Sequence, residues 1–293
     1  MSNFVDKTKN FSFILPAFLI FSIFWIYPFF YTFFLSFFKG DAISNLEFVG
    51  FLNFKEIIFN DKAWWKSMYN AGFITLFALI FQNILAFCLA LGVDKSIRAK
   101  NFYRVVFFIL PILSEIIVGL LMREILISDP GIFNQWLKKV GFGFLARDWF
   151  SKENVLLTTA IVHSWKGFGW AFVIFLAGLQ TIPEQLYEAA RIDGANAFRT
   201  FFCITLPLLM PVVALVMILT ISGTMQAFAM ILALTRGAAG LTEVPTMRIY
   251  NHLRLGQVGL SCAEGLVLGV ILVFVSGMVG LVSKKIRARW GVL

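Results

Sequence analysis

Residues 188–207, EAARIDGANAFRTFFCITLP, form a charged and polar island between two long apolar segments. Val155 to Ile182 before it carries one charge, Lys166, and Thr200 to Thr235 carries none. Pro183 ends the preceding helix. Residues 184–195 are good helix formers with Glu184 and Glu188 early, where a helix N-terminus favours negative charge. Gly194 permits a tight turn that a residue with a Cβ resists. Phe198, Phe201 and Phe202 recur at helical spacing and predict a second short helix anchored to the apolar bundle. Pro207 fits the first turn of the next helix, where its missing N–H costs nothing. A rigid helix-turn-helix thus joins two segments long enough to cross a bilayer.

The rest of the chain agrees with a membrane protein. Hydrophobic residues make up 59% and charged residues 14%, against about 25% charged in soluble domains. Six apolar runs are long enough to span, predicting helices over about 11–38, 67–93, 105–122, 155–182, 207–234 and 265–283. Backbone groups in hydrocarbon must be satisfied within their own segment, and the runs lack the alternation of a barrel strand. The expected fold is an all-α integral membrane protein of six transmembrane helices in a single domain, 1–293. The first run is too long for a signal-peptide core and is expected to be retained. Segments 1–10, 94–104, 183–206 and 284–293 hold 12 basic and 5 acidic residues in 55 positions, whereas 39–66, 123–154 and 235–264 hold 12 and 10 in 90. This asymmetry, +7 against +2, places both termini and the 183–206 loop in the cytoplasm. The net charge of +9 reads as this topology signal plus attraction to anionic membrane lipid, not as a nucleic-acid surface.

Glu188-Ala189-Ala190, then Gly194, then Ile204-Thr205-Leu206-Pro207 resemble the EAA loop of binding-protein-dependent ABC importer permeases, EAA-x3-G-x9-I-x-L-P, at every defined position. The opening LPAFLIFSIFWIYPFFYTFFLSF and the last helix are similar to the maltose/glycerol-phosphate, first-subunit type of carbohydrate permease. The resemblance covers nearly the whole chain and implies a type I ABC importer permease. Such a subunit forms half of the path of a sugar or oligosaccharide; the alternatives are an ABC permease for another solute or a secondary transporter. The implied partners are a second homologous permease subunit, two ATP-binding subunits and an extracytoplasmic solute-binding protein. The implied place is a bacterial or archaeal cytoplasmic (inner) membrane. By resemblance, Glu188, Ala189, Ala190, Arg191, Asp193, Gly194, Ile204, Leu206 and Pro207 make or shape the ATPase-coupling element. No GxxxxGK[ST] occurs, so ATP and Mg are expected on the partner subunits, with no cofactor and no catalytic residue in this chain.

Lys166 lies near mid-membrane, where a charge costs at least about 2.5–3.5 kcal/mol and calls for a cavity or a partner. On a helix His163, Lys166, Gly167 and Trp170 share an arc of roughly 100°. That face offers an aromatic surface for sugar C–H groups and polar groups for hydroxyls. Thr220, Gly223 and Thr224 make a similar face on the next span. Packing, or bonds from threonine to its own helix backbone, explains the same residues without a substrate. An anionic sugar, Glu115 or a carboxylate of a partner subunit would each compensate Lys166.

The loops carry weaker signals. Trp64 and Trp65 sit where interfacial anchors are expected. Asp129-Pro130-Gly131 signals a turn before an amphipathic stretch around Phe133 to Val140. Thr235-Arg-Gly-Ala-Ala-Gly240 resembles the family's T-x-G-G-P exit from its penultimate helix, with Arg236 and two alanines departing from it and no proline. Gly265, Gly269, Ser276 and Gly280 make a small-residue stripe suited to helix packing. Cys88, Cys203 and Cys262 are isolated, and two histidines make no metal cluster. A secondary transporter favours paired intramembrane carboxylates and inverted repeats, whereas Glu115 stands alone. A membrane enzyme needs a nucleophile or metal constellation that is not present.

The charge asymmetry generates a labelling test. In a cysteine-free background, a membrane-impermeant thiol reagent on intact cells should label a cysteine at position 138 and not one at 287. The opposite pattern inverts the topology.

Overall fold

The computed structural model describes residues 14–40, 46–94, 100–127 and 131–289. By contacts the chain divides into two units: residues 1–62 with 248–269, and residues 63–247 with 270–293. Residues 11–13 of the first expected helix and Asp129-Pro130 of the turn signal lie outside the described residues.

The first unit begins with α1 (Ile14–Leu35), whose Phe24, Trp25 and Phe30 are largely exposed. A helix face of that kind marks a surface that meets lipid or a protein partner. A two-residue hairpin follows, β1 (Phe38–Lys39) against β2 (Glu47–Phe48), with Phe38 opposite Phe48. A short helix, α2 (residues 52–60), comes next. Its Asn53 donates from Nδ2 to the carbonyls of Ser36 and Phe38, at 2.8 and 2.9 Å, and ties the helix back to the end of α1. The unit also holds a buried ionic cluster. Arg248 pairs with Asp61 and lies 3.5 Å from Glu264, and His252 Nδ1 lies 2.9 Å from the other oxygen of Glu264. Glu264 is fully buried; a carboxylate so placed needs these partners, because burial of a lone charge is prohibitive.

The second unit is built around α7 (Val155–Leu179), an uninterrupted helix of 25 residues. Packed on it are α3 (Lys62–Asp94), α4 (Lys100–Ile112) and α9 (Ala197–Met225). Close approach depends on missing side chains. A Cβ built on Gly169 would lie 2.0 Å from the carbonyl oxygen of Phe107 on α4, and one on Gly167 would lie 2.4 Å from Gln82 Oε1 on α3. The core between these helices is Ala86, Ala90, Phe168, Phe172, Phe175, Leu176 and Leu209, with Phe107 edge-on to Phe172.

Two expected spans are interrupted. The 105–122 run is not one helix: α4 ends at Ile112, and α5 (Glu115–Leu126) leaves at 91° to it. Pro111 supplies the cause, since its ring removes a helical N–H and crowds the preceding turn. The 207–234 run breaks after Met225, and α10 (Ala229–Thr235) resumes beyond it. Thr246 Oγ1 holds the break by donating to the carbonyl of Ala227 at 2.8 Å. The two detached pieces, α5 and α10, pack together: a Cβ on Gly119 would lie 2.7 Å from the carbonyl oxygen of Met230. Between α5 and α7 sits α6 (Ile132–Lys139), whose Asn134 accepts from Trp149 Nε1 at 2.9 Å and donates to the carbonyl of Arg147. Beyond α8 (Glu184–Ile192), described below, the remaining helices are α11 (Pro245–Arg254) and α12 (Val258–Arg289).

Several local expectations change. Trp64 is fully buried while Trp65 is half-exposed, so the first packs into protein and only the second faces outward. A Cβ on Gly265, Gly269 or Gly280 would meet nothing within 4 Å, so at these three glycines the stripe closes on no helix among the described residues. The departure at 235–240 carries a backbone cost. Arg236, Ala238 and Ala239 all adopt positive φ, beside Gly237 and Gly240, a region that costs a residue with a Cβ about 1–2 kcal/mol. Asn70 on α3 offsets it by donating to the carbonyls of Gly240 and Glu243 at 3.0 and 2.9 Å.

Gly169→Ala should force α4 from α7 and destabilise the subunit by about 1–3 kcal/mol or more. Thermal unfolding of the purified protein measures it against Gly72→Ala, where an added Cβ meets nothing within 4 Å.

Candidate functional site

Two places in the second unit gather the residues singled out by sequence. The first is a cavity of about 320 Å3 where both interrupted spans break against α7. From α7 it receives His163, Lys166, Gly167 and Trp170, and from α9 Thr220, Gly223 and Thr224. All seven expected path residues therefore meet in one cavity. The rest of its wall is Leu219, Pro111 and Glu115 at the first break, and Gln82 of α3.

The polar groups interact in pairs. Lys166 Nζ lies 3.8 Å from Glu115 Oε1; the lysine side chain is 13% exposed and the glutamate 49%. Of the compensations open to Lys166, Glu115 is thus the one this chain supplies. The break explains the carboxylate: Glu115 stands in the first turn of α5, where the helix dipole favours negative charge. His163 Nε2 and Thr224 Oγ1 are 3.2 Å apart. Thr220 Oγ1 lies 2.8 Å from the carbonyl of Val216 and 3.1 Å from Asn83 Oδ1, so its single proton serves its own helix or the neighbouring amide. Trp170 lines the wall half-buried.

Sequence reasoning passed over Gln82 and Asn83. Adjacent amides in an uncharged span were the available signal. The span widens to a π turn over Ala78–Gln82, a feature common at functional sites. Gln82 is buried, and its amide occupies the space left by Gly167.

The second place is α8 and its turn. Pro183 precedes the helix and Glu184 lies in its first turn. The end is a Schellman closure: Ala195 N donates to the carbonyl of Ala190 at 2.9 Å and Gly194 N to that of Arg191 at 3.1 Å, with Gly194 at φ +71°. Asn196 then caps the next helix, accepting from Arg199 N at 2.8 Å. Tyr187 Oη lies 3.2 Å from Thr205 Oγ1 and links α8 to α9. Glu188, Ala189, Arg191, Asp193 and Gly194 are exposed, Ala190 and Pro207 are buried, and Ile204 and Leu206 are half-buried.

Pro207 stands in the first turn of the regular helix that begins at Leu206, which follows the π turn over Phe201–Thr205 without a break in the chain's helical course from Ala197. One expectation is corrected here. Phe201 packs on Phe87 at 6.0 Å, whereas Phe198 is 73% exposed and, among the described residues, makes its ring contact with Phe202. The second short helix is therefore anchored by one phenylalanine, not three.

The chain thus combines several helices long and apolar enough to cross a membrane, a polar cavity among them and an exposed helix-turn on one of their links. The chain belongs to the family described as binding-protein-dependent transport system inner membrane component, which matches residues 8–288. It is 29% identical over 289 residues to the multiple sugar-binding transport system permease protein MsmF of Streptococcus mutans, covering 96% of this chain and 97% of that one. To the arabinooligosaccharides transport system permease protein AraP of Bacillus subtilis it is 30% identical over 291 residues, covering 97% and 90%. A bacterial alginate ABC transporter, solved with an alginate pentasaccharide-bound periplasmic protein, contains a chain of the same fold. The TM-score is 0.83 at 20% identity, over 98% of this chain and 97% of that one.

Gly194→Ala has room for its Cβ, so its cost is conformational, about 1–2 kcal/mol. Gly194→Pro also loses the N–H that closes the turn. Amide exchange of residues 184–195 should rise modestly in the first variant and strongly in the second; equal protection in all three proteins would show that the closure does not hold the turn.

Proposed function

We propose that this subunit forms half of the translocation path of an ATP-driven importer for a sugar or oligosaccharide. A second homologous permease subunit completes the path. Two ATP-binding subunits hold ATP and Mg and carry the hydrolysis, and an extracytoplasmic binding protein delivers the solute. Both termini and α8 lie on the cytoplasmic side.

The observation that carries this reading is the stiffness of α8 together with its matched motif. A closing ATPase can move this bundle only through an element that does not bend under load. The closure at Gly194, the Asn196 cap and the Tyr187–Thr205 contact give α8 that property. Its exposed Glu188, Ala189, Arg191 and Asp193 are the residues available to a partner. The cavity supports the sugar assignment by its chemistry. Trp170 offers a ring face for C–H groups, and Gln82, His163, Glu115 and Lys166 offer donors and acceptors for hydroxyls. The similarity to permeases named for sugars and arabinooligosaccharides points the same way.

Reconstituted with its ATPase and binding-protein partners, the wild-type subunit should support ATP-dependent oligosaccharide uptake. Glu188→Lys should cut uptake at least about tenfold while membrane insertion stays unchanged, with ATP hydrolysis no longer stimulated by the loaded binding protein. Wild-type uptake in this variant would remove the coupling role.

A further inference from the structure

We propose that the cavity admits uncharged saccharides and that Glu115 is the residue that turns away sugar carboxylates. The inference rests on the saccharide reading of the cavity and deepens it. Lys166 alone would make the site a receptor for uronates. It does not stand alone: Glu115 Oε1 is 3.8 Å from its ammonium, and among the described residues these two are the only carboxylate and ammonium on the cavity wall. A solute carboxylate can reach Lys166 only by coming close to a like charge, and the attraction of one is offset by the repulsion of the other.

Accessibility decides the sign. The lysine side chain is 13% exposed and the glutamate 49%, so the more open charge is the negative one. An open carboxylate accepts two hydroxyl hydrogen bonds, and charge-assisted bonds of that kind are the stronger ones. The other groups fit a neutral ligand equally well. Gln82 brings an amide with donor and acceptor, admitted by the missing side chain of Gly167. His163 and Thr224 bring a ring nitrogen and a hydroxyl. The wide turn at Ala78–Gln82 and the break at Leu113–Ser114 deliver Gln82 and Glu115 to the same cavity from two helices. Each departure from regular helix thus contributes a group suited to hydroxyls.

The test uses the permease pair with its ATPases in lipid nanodiscs, without the binding protein, so that only the membrane site selects. The probes are a panel of neutral trisaccharides and the same trisaccharides oxidised at C6 to carboxylates, with binding measured by equilibrium dialysis. In the wild type each bound neutral sugar should outcompete its oxidised form at least about tenfold. Glu115→Gln should erase most of that preference, and adding Lys166→Gln should remove the gain in acid binding. Oxidised forms that bind the wild type as well as the neutral ones, or a ratio unchanged by Glu115→Gln, would overturn the role of Glu115. If Glu115→Gln does not assemble, the wild-type ratio decides alone. Should no panel sugar bind the wild type, or should Trp170→Ala leave binding untouched, the saccharide reading of the cavity fails, and this inference with it.

Discussion

A helix interrupted inside hydrocarbon leaves amides and carbonyls that lipid cannot satisfy, and this constraint organises the second unit. Irregular backbone is stable at membrane depth only where protein or a wet cavity surrounds it. The chain meets the condition by breaking two spans toward the same wall. One break falls after Pro111 and the other after Met225. The intact helix α7 stands behind both; its Gly169 lets the backbone of α4 approach and its Gly167 admits the Gln82 side chain of α3. The detached pieces α5 and α10 pack on one another. The cavity and the polar groups around it are therefore the structural answer to the broken helices.

The spans were readable because hydrophobic length is a property of composition, which survives any detail of packing. Their continuity was not. Ser114 and Gln226 lie within long uncharged or nearly uncharged runs, and nothing in the average polarity marks them. Pro111 was a local sign, but prolines are tolerated in membrane helices, as Pro207 and Pro211 show within α9. The distinction depends on what surrounds the proline in space. The seven residues expected to line a path meet in one cavity because they share helical faces, a regularity that sequence preserves. Gln82 escaped because no charge marks its span, and only the packing of α3 against Gly167 of α7 brings its amide to the cavity. Trp64 was misplaced for another reason: a tryptophan near a helix end fits an interfacial belt and a protein core equally well, and only tertiary packing chooses.

The buried cluster of Asp61, Arg248, His252 and Glu264 shows a different limit. Asp61, Arg248 and Glu264 entered the sequence reading only through the charge count of the outer segments, and His252 only as one of two histidines without a metal cluster, because their sequence separation hides their proximity. A fully buried Glu264, hydrogen-bonded to His252 and ion-paired with Arg248, is costly to replace by half, since removing one partner strands the others. Such an arrangement fixes the geometry of α11 and the start of α12 more narrowly than apolar contacts would, because charge pairs tolerate less displacement than methyl groups do.

The wide turns at Ala78–Gln82 and Phe201–Thr205 have a consequence for how this protein can change over time. A membrane helix ordinarily resists insertion or deletion, because one residue rotates everything beyond it by about 100°. A π turn takes up one extra residue locally and returns the chain to its former register. The helix segments on either side of Gln82, and of Thr205, are thus partly insulated from each other's length. Comparisons with distant relatives should accordingly show gaps near Ala78–Gln82, in the middle of a hydrophobic span, where a conventional alignment penalises them most heavily.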